Sequence, residues 1–377
     1  MKQLLVSFIL LLSIVSSCGS NSRPVAEQGD TLRLQYARQF TMVKYKGYTE
    51  VSLADPWHKG KILHRYLLVP RGGEGDHVLK KINTGDGTVV RIPVTRSVVF
   101  TTVHCSLLAD LGVKSAVKGV CDLQYILLPW VEKNGKPAPG IVDCGNSMNA
   151  DIEKIIDLRP QALLLSPFEN SGGYGKLDEI HIPVIECADY MESTPLGRAE
   201  WMKFYGLLFG REQQADSLFL QICKQYHQLQ ERARHMKTHP KVITELKTGA
   251  VWYVPGGASY VGQMIADAGG RYAFASDKSE GSLSLTFEKV LDEAGDADIW
   301  LYKYNEHPCN LKELLSGYAG YQQMKAFKDK QVYGADCARV PFYEESGFHP
   351  ERVLRDMMII FHPEIRMGKL RYYKRLD

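Results

Sequence analysis

Hydrophobic and polar positions divide the chain into stretches of different periodicity. The first is an apolar run from Leu4 to Val15, preceded by Lys2 and followed by Ser16-Ser17-Cys18. A basic start, a short apolar centre and a small-residue end form the pattern of a secretory signal, expected over residues 1–17. The run is well short of the ~20 residues a helix needs to cross a bilayer, so export is expected in place of a permanent span. From Leu32 to Val90 the pattern shortens to strand-sized bursts such as Phe40 to Val43, Tyr48 to Val51 and Tyr66 to Val69, broken by Gly, Pro and Asp. A small β-meander is predicted there, with turns at Arg71 to Asp76 and Thr84 to Gly87. Beyond Pro93, apolar strands at 98–100, 116–120, 162–166 and 184–185 alternate with helical spacing, including a helix through Leu107 to Leu111. That alternation predicts βαβ units and a largely parallel sheet. Between Leu196 and Lys237 no proline occurs and glycines stand only at 197, 206 and 210. A long helix is predicted over 196–238, with Gly210 as its one breaking point, before the α/β pattern restarts at Lys241-Val242-Ile243.

Two distant segments match one another. Asp151-Ile152-Glu153-Lys154-Ile155-Ile156-Asp157 parallels Thr286-Phe287-Glu288-Lys289-Val290-Leu291-Asp292, and each is followed by an apolar strand, Ala162 to Leu165 and Asp298 to Leu301. Both begin with a residue suited to capping a helix N-terminus. A second pair, Leu108 to Gly112 and Ile265 to Gly269, supports the match. Flanking the long helix, the pairs predict two similar α/β lobes joined by it. In open α/β sheets ligands bind beyond the carboxyl ends of the strands, so two facing sheets would make a binding cleft.

Composition narrows the function. With 45% hydrophobic and 24% charged residues and a formal net charge of +3, the chain is an ordinary globular one, and no basic cluster suggests a nucleic-acid surface. Val15-Ser16-Ser17-Cys18 is similar to a bacterial lipobox, which makes Cys18 the expected lipidation site and residues 18–31 a polar, lipid-anchored tether. That leaves seven cysteines: Cys105, Cys121, Cys144, Cys187, Cys223, Cys309 and Cys337. None forms a C-x-x-C pair, and most are expected to fill core space.

From about Arg91 to Glu364 the chain resembles the periplasmic iron-siderophore and cobalamin binding proteins of ABC importers. The resemblance is carried by Arg96 to Phe100 with Leu107 to Gly112, by Lys118-Gly119-Val120, and by Asp151 to Leu165. It continues through Leu207-Leu208-Phe209-Gly210-Arg211-Glu212-Gln213-Gln214-Ala215, Leu285 to Asp292, and His349-Pro350-Glu351 through His362-Pro363-Glu364. It implies a class III periplasmic-binding fold: an N-terminal lobe (91–195), an interlobe helix (196–238) and a C-terminal lobe (239–377), with the β-rich segment 32–90 as an addition to the family pattern. It also implies that Glu153 and Glu288 dock on a dimeric permease. The cargo would be a metal chelate, namely a ferric siderophore, haem or cobalamin, with no intrinsic cofactor, and the chain is expected to be a monomer facing the periplasm.

Loops after strands supply the candidate ligand contacts. Tyr125, Phe168, Trp252, Tyr253 and Tyr304 are of the type that stacks on a flat macrocycle or catechol, Arg339 of the type that pairs with anionic groups, and His104 of the type that ligates a metal. The remaining histidines lie on helices or near prolines outside those loops, so no free-metal site is expected. G-x-S-x-G, H-E-x-x-H and G-x-x-x-x-G-K-[ST] are all missing from the sequence, which disfavours an exported α/β enzyme. A scavenging or storage lipoprotein working without a permease is the remaining alternative.

Overall fold

The computed structural model describes residues 29–169 and 173–377; the signal, Cys18 and most of the tether lie outside them. Among the described residues no helix is long and apolar enough to cross a membrane.

The N-terminal extension is a five-stranded sheet of Asp30–Leu32, Phe40–Tyr45, Tyr48–Ala54, Ile62–Pro70 and Thr88–Ile92, in that spatial order. The first four strands form the expected antiparallel meander, but Thr88–Ile92 runs parallel to Ile62–Pro70. A parallel neighbour needs a crossover. The stretch expected to be a turn at Arg71 to Asp76 accordingly enters a helix, Gly73–Leu79. Two buried carboxylates fix this sheet to the rest of the molecule. Glu200, fully buried, accepts from the backbone N–H groups of Gln35, Tyr36 and Ala37 at 2.7 to 3.0 Å and from Lys203 Nζ at 2.7 Å. Glu192 accepts from Arg38 N, Gln39 N and Trp201 Nε1.

The first lobe holds an all-parallel sheet ordered Val142–Asp143, Val117–Val120, Ser97–Val99, Ala162–Leu165, Val184–Glu186. Both faces are covered, as parallel sheets require. Val99 and Leu164 point into the main core, and Val98 and Leu163 into a smaller cluster with Cys121, Cys144 and Ile155. The second lobe's sheet is ordered Arg271–Tyr272, Lys241–Thr244, Ile299–Tyr304, Val332–Asp336, Tyr373–Arg375, with only the last strand antiparallel. A three-stranded antiparallel sheet of Lys247–Thr248, Val251–Pro255 and Ser282–Leu285 sits beside it.

The helix expected as one piece over 196–238 is three: Pro195–Glu200, Met202–Leu208 and Glu212–Arg234. Gly210 supplies the break with φ +66°, a left-handed turn that glycine adopts without strain. The last piece, 23 residues and about 34 Å long, packs against Pro350–Phe361 of the second lobe. Direct contacts also cross between the lobes. Glu344 accepts from Thr102 Oγ1 and Leu127 N at 2.9 Å, and His349 Nε2 lies 3.0 Å from Asp110 Oδ2. All seven described cysteines are free, and every one but Cys309 is buried.

Candidate functional site

The repeated segments form matching structures. Asp151 caps the helix Ile152–Asp157 by accepting from Lys154 N, and Thr286 caps Phe287–Ala294 by accepting from Lys289 N. Each helix carries its glutamate, Glu153 or Glu288, exposed in the first turn, and each leads into an interior strand of its sheet. The carboxylate complements the helix N-terminus there, which by itself stabilises the helix by ~0.3–1 kcal/mol.

Strand order locates the binding crevices. In the first sheet the order reverses between Ser97–Val99 and Ala162–Leu165, and beyond their carboxyl ends lies a cavity of about 450 Å³. Phe100, Thr101, Met148, Ser166, Phe168 and Tyr174 line it. In the second sheet the reversal falls between Lys241–Thr244 and Ile299–Tyr304, where a cavity of about 470 Å³ is lined by Glu245, Lys247, Tyr253, Lys303, Tyr304 and His307. Lys303 pairs with Glu245 there. An adjoining space of about 760 Å³ shares Leu246, Lys247, His307 and Pro308 and extends to Glu313, Tyr318 and Tyr321.

Of the candidates from sequence, Phe168, Tyr253 and Tyr304 stand at these cavities. Phe168 and Tyr253 are 47% and 51% exposed, enough to offer a ring face to a ligand, whereas Tyr304 is mostly buried. Tyr125 and Arg339 are exposed but line neither cavity, and Arg339 pairs with Asp336 at 3.3 Å.

Two candidates are corrected. Trp252 is fully buried, packed against Phe287, Trp300 and Tyr321, with its indole N–H donated to Thr244 O. Strand alternation turns Trp252 inward and its neighbour Tyr253 outward, a distinction period-2 patterning carries. His104 lies on the buried face of the helix Thr102–Asp110. Its Nε2 is 2.8 Å from Asp189 Oδ1 and 2.9 Å from Tyr205 Oη, and its Nδ1 contacts Thr101 Oγ1. Burial works against a charged ring, yet the Cys187 sulfur and the Asp189 carboxylate outweigh it and raise His104 to about 10. With both nitrogens occupied, His104 is a structural residue.

The sequence reading passed over Met148 and a cluster just beyond Ile299–Tyr304. There His307 Nδ1 is 2.9 Å from Glu313 Oε2, Cys309 Sγ is 3.5 Å from Glu313 Oε1, and the three ligand-type atoms lie within 4.8 Å of one another. The Cys309 backbone N–H and the His307 ring hold the Glu313 carboxyl down at about 2. Its signal is the spacing His307-x-Cys309-x-x-x-Glu313.

A model of the periplasmic binding protein family matches residues 105–337. An uncharacterized lipoprotein of Methanocaldococcus jannaschii is 25% identical, the alignment taking in 99% of this chain and 96% of the relative. A periplasmic haem-binding protein of Pseudomonas aeruginosa superposes with a TM-score of 0.59 at 16% identity, covering 75% of this chain and 98% of that one. The ABC-type Fe3+-hydroxamate transport protein of Saccharomonospora viridis gives 0.56 at 18% identity, covering 72% and 94%. The two α/β lobes with their connecting helix are the class III periplasmic-binding fold, and the chain belongs to the periplasmic binding protein family.

Proposed function

We propose that this chain is the substrate-binding lipoprotein of an ABC importer, anchored through Cys18, which takes a metal chelate between its lobes and hands it to a membrane permease. The observation that carries the reading is the pairing of two cavities, one at each sheet's point of strand reversal, with two matching capped helices that each expose one glutamate. A site shared by two lobes suits a ligand too large for one cavity, such as a ferric siderophore, haem or cobalamin. Phe168 and Tyr253 supply ring faces, and Lys303 and Lys247 supply positive charge for anionic arms. The haem-binding protein and the Fe3+-hydroxamate transport protein of similar fold point to the same ligand class. Glu153 and Glu288 serve as docking points for the permease, one on each lobe.

Two measurements test this. Tryptophan fluorescence of the purified protein, titrated with cobalamin, haem and a panel of ferric siderophores, is expected to show saturable micromolar or tighter quenching by one chelate; no response to any of them overturns the cargo. Glu153→Lys and Glu288→Lys are each expected to abolish uptake in a reconstituted transporter while ligand affinity stays within about twofold. Uptake that survives both reversals would overturn the docking role of the two glutamates.

A further inference from the structure

Outside the aromatic contacts proposed for the chelate, the second lobe gathers three chemically different metal-ligand side chains within seven residues. His307, Cys309 and Glu313 present an imidazole nitrogen, a sulfur and a carboxylate, all mutually within 4.8 Å. From these we infer that His307, Cys309 and Glu313 form a binding site for a zinc-class divalent cation, with its remaining coordination position open to the adjoining cavity. The inference stands independently of the chelate reading.

Ligand separations carry the argument. Zinc bonds of about 2.0 Å to nitrogen and oxygen and 2.3 Å to sulfur, set at tetrahedral angles, place ligand atoms roughly 3.3 to 3.5 Å apart. The structure has 2.9 Å between His307 Nδ1 and Glu313 Oε2 and 3.5 Å between Cys309 Sγ and Glu313 Oε1. All three ligand atoms lie within 4.8 Å of one another, so admitting the ion requires the His307 and Cys309 side chains to close on one Glu313 oxygen. A thiolate beside an imidazole also selects zinc over calcium or magnesium, which prefer all-oxygen sites.

Supporting bonds hold the ligands before any metal arrives. Glu313 accepts from the Cys309 backbone N–H at 2.9 Å and from Asn310 Nδ2 at 2.8 Å, contacts that a metal on the carboxylate would leave in place. Asn310 in turn caps the helix Leu311–Gly317 through Glu313 N. Tyr302 Oη donates to Pro308 O at 2.9 Å, and Glu306 N donates to Asp336 Oδ1 at 3.0 Å, so the loop carrying His307 is tied to two neighbouring strands. Outer bonds of this kind orient first ligands and are worth 10- to 100-fold in metal affinity.

Charge and proton balance agree. In the metal-free form the His307 ring and the Cys309 thiol both face the Glu313 carboxylate. A metal takes the deprotonated Nδ1 of His307 and the Cys309 thiolate, so binding releases the thiol proton, and a second proton where the imidazole is charged, to solvent while the carboxylate stays ionised. His307 and Glu313 both border the 760 Å³ cavity. The open position therefore faces a space that holds water or a donor atom of a bound molecule.

Cobalt(II) titration of the purified protein tests the site. The expected result is one equivalent bound, with visible ligand-field bands of tetrahedral intensity and a near-ultraviolet thiolate-to-metal band, all displaced by zinc. Cys309→Ser should remove the thiolate band and weaken zinc binding by about 100-fold or more, a ligand loss exceeding the loss of an outer bond. Because the His307 side chain is 74% exposed, His307→Ala should fold normally, which keeps the test decisive if the serine variant is unstable; it too should lose affinity. No thiolate band in the parent protein, or a band unchanged in both variants, would overturn the assignment and place any bound metal on other thiols.

Discussion

Glu200→Gln is the sharpest test of how the extra N-terminal sheet is attached. Oε2 accepts from Tyr36 N and Ala37 N at 2.7 and 2.9 Å, while Oε1 accepts from Lys203 Nζ at 2.7 Å, and Gln35 N bridges both oxygens at 3.0 Å. A glutamine retains one acceptor. Its NH2 must then face either the backbone pair or the Lys203 ammonium, setting donor against donor. Charged hydrogen bonds are worth about 1.5–3 kcal/mol each, and stranding a buried partner costs about as much again, so a loss of about 2–4 kcal/mol is expected. Urea unfolding followed by tryptophan fluorescence measures it. Trp201 is the reporter, since it donates to Glu192 in the same junction and packs on Phe40 of the extension at 4.7 Å. Limited proteolysis should release the extension sooner in the variant. The pH dependence is a second check. Burial opposes ionisation of Glu200, but Lys203 and the backbone N–H groups outweigh it and leave its pKa below the ordinary 4.5. A depressed carboxyl stabilises the fold fully above its unfolded value, and that stabilisation is lost as pH falls through the folded one. The difference between parent and variant should therefore be complete at pH 6 and shrink below about pH 4.5. A stability change under ~0.5 kcal/mol, with unaltered proteolysis, would refute the account.

Other residues give independent checks. His104→Ala leaves the buried Asp189 carboxylate without its imidazole and should cost about 3–5 kcal/mol, measured by urea unfolding, while leaving ligand affinity unchanged. Since the folded pKa of His104 is raised to about 10 from an ordinary 6.5, its contribution is full below pH 6.5 and fades as pH rises toward 10, which stability measurements across that range would reveal. Trp252→Ala should destabilise by about 3–5 kcal/mol through the cavity it leaves. Its half-exposed neighbour, in Tyr253→Ala, should alter stability by less than about 0.5 kcal/mol yet weaken chelate binding in the fluorescence titration.

Sequence alone determined the fold class and its duplication, because both are written in local signals. Apolar strands at Val98 and Ala162, caps at Asp151 and Thr286, and the break at Gly210 act over a few residues each, and periodicity reports them directly. The turn expected at Arg71 to Asp76 became a helix because Thr88–Ile92 pairs in parallel, a choice settled by a partner strand and not by Gly72-Gly73 themselves. Tertiary structure alone decided which chemistry faces a cavity. His104 was the natural metal ligand by residue type, but Asp189 and Tyr205, 85 and 101 positions away, occupy its ring and seal it inside. His307 lies in sequence beyond the strand-end loop, and only the fold places it beside Cys309 and Glu313 at an open space. Burial and convergence of side chains are sums over contacts distant in the chain, and residue type and spacing carry only part of that sum.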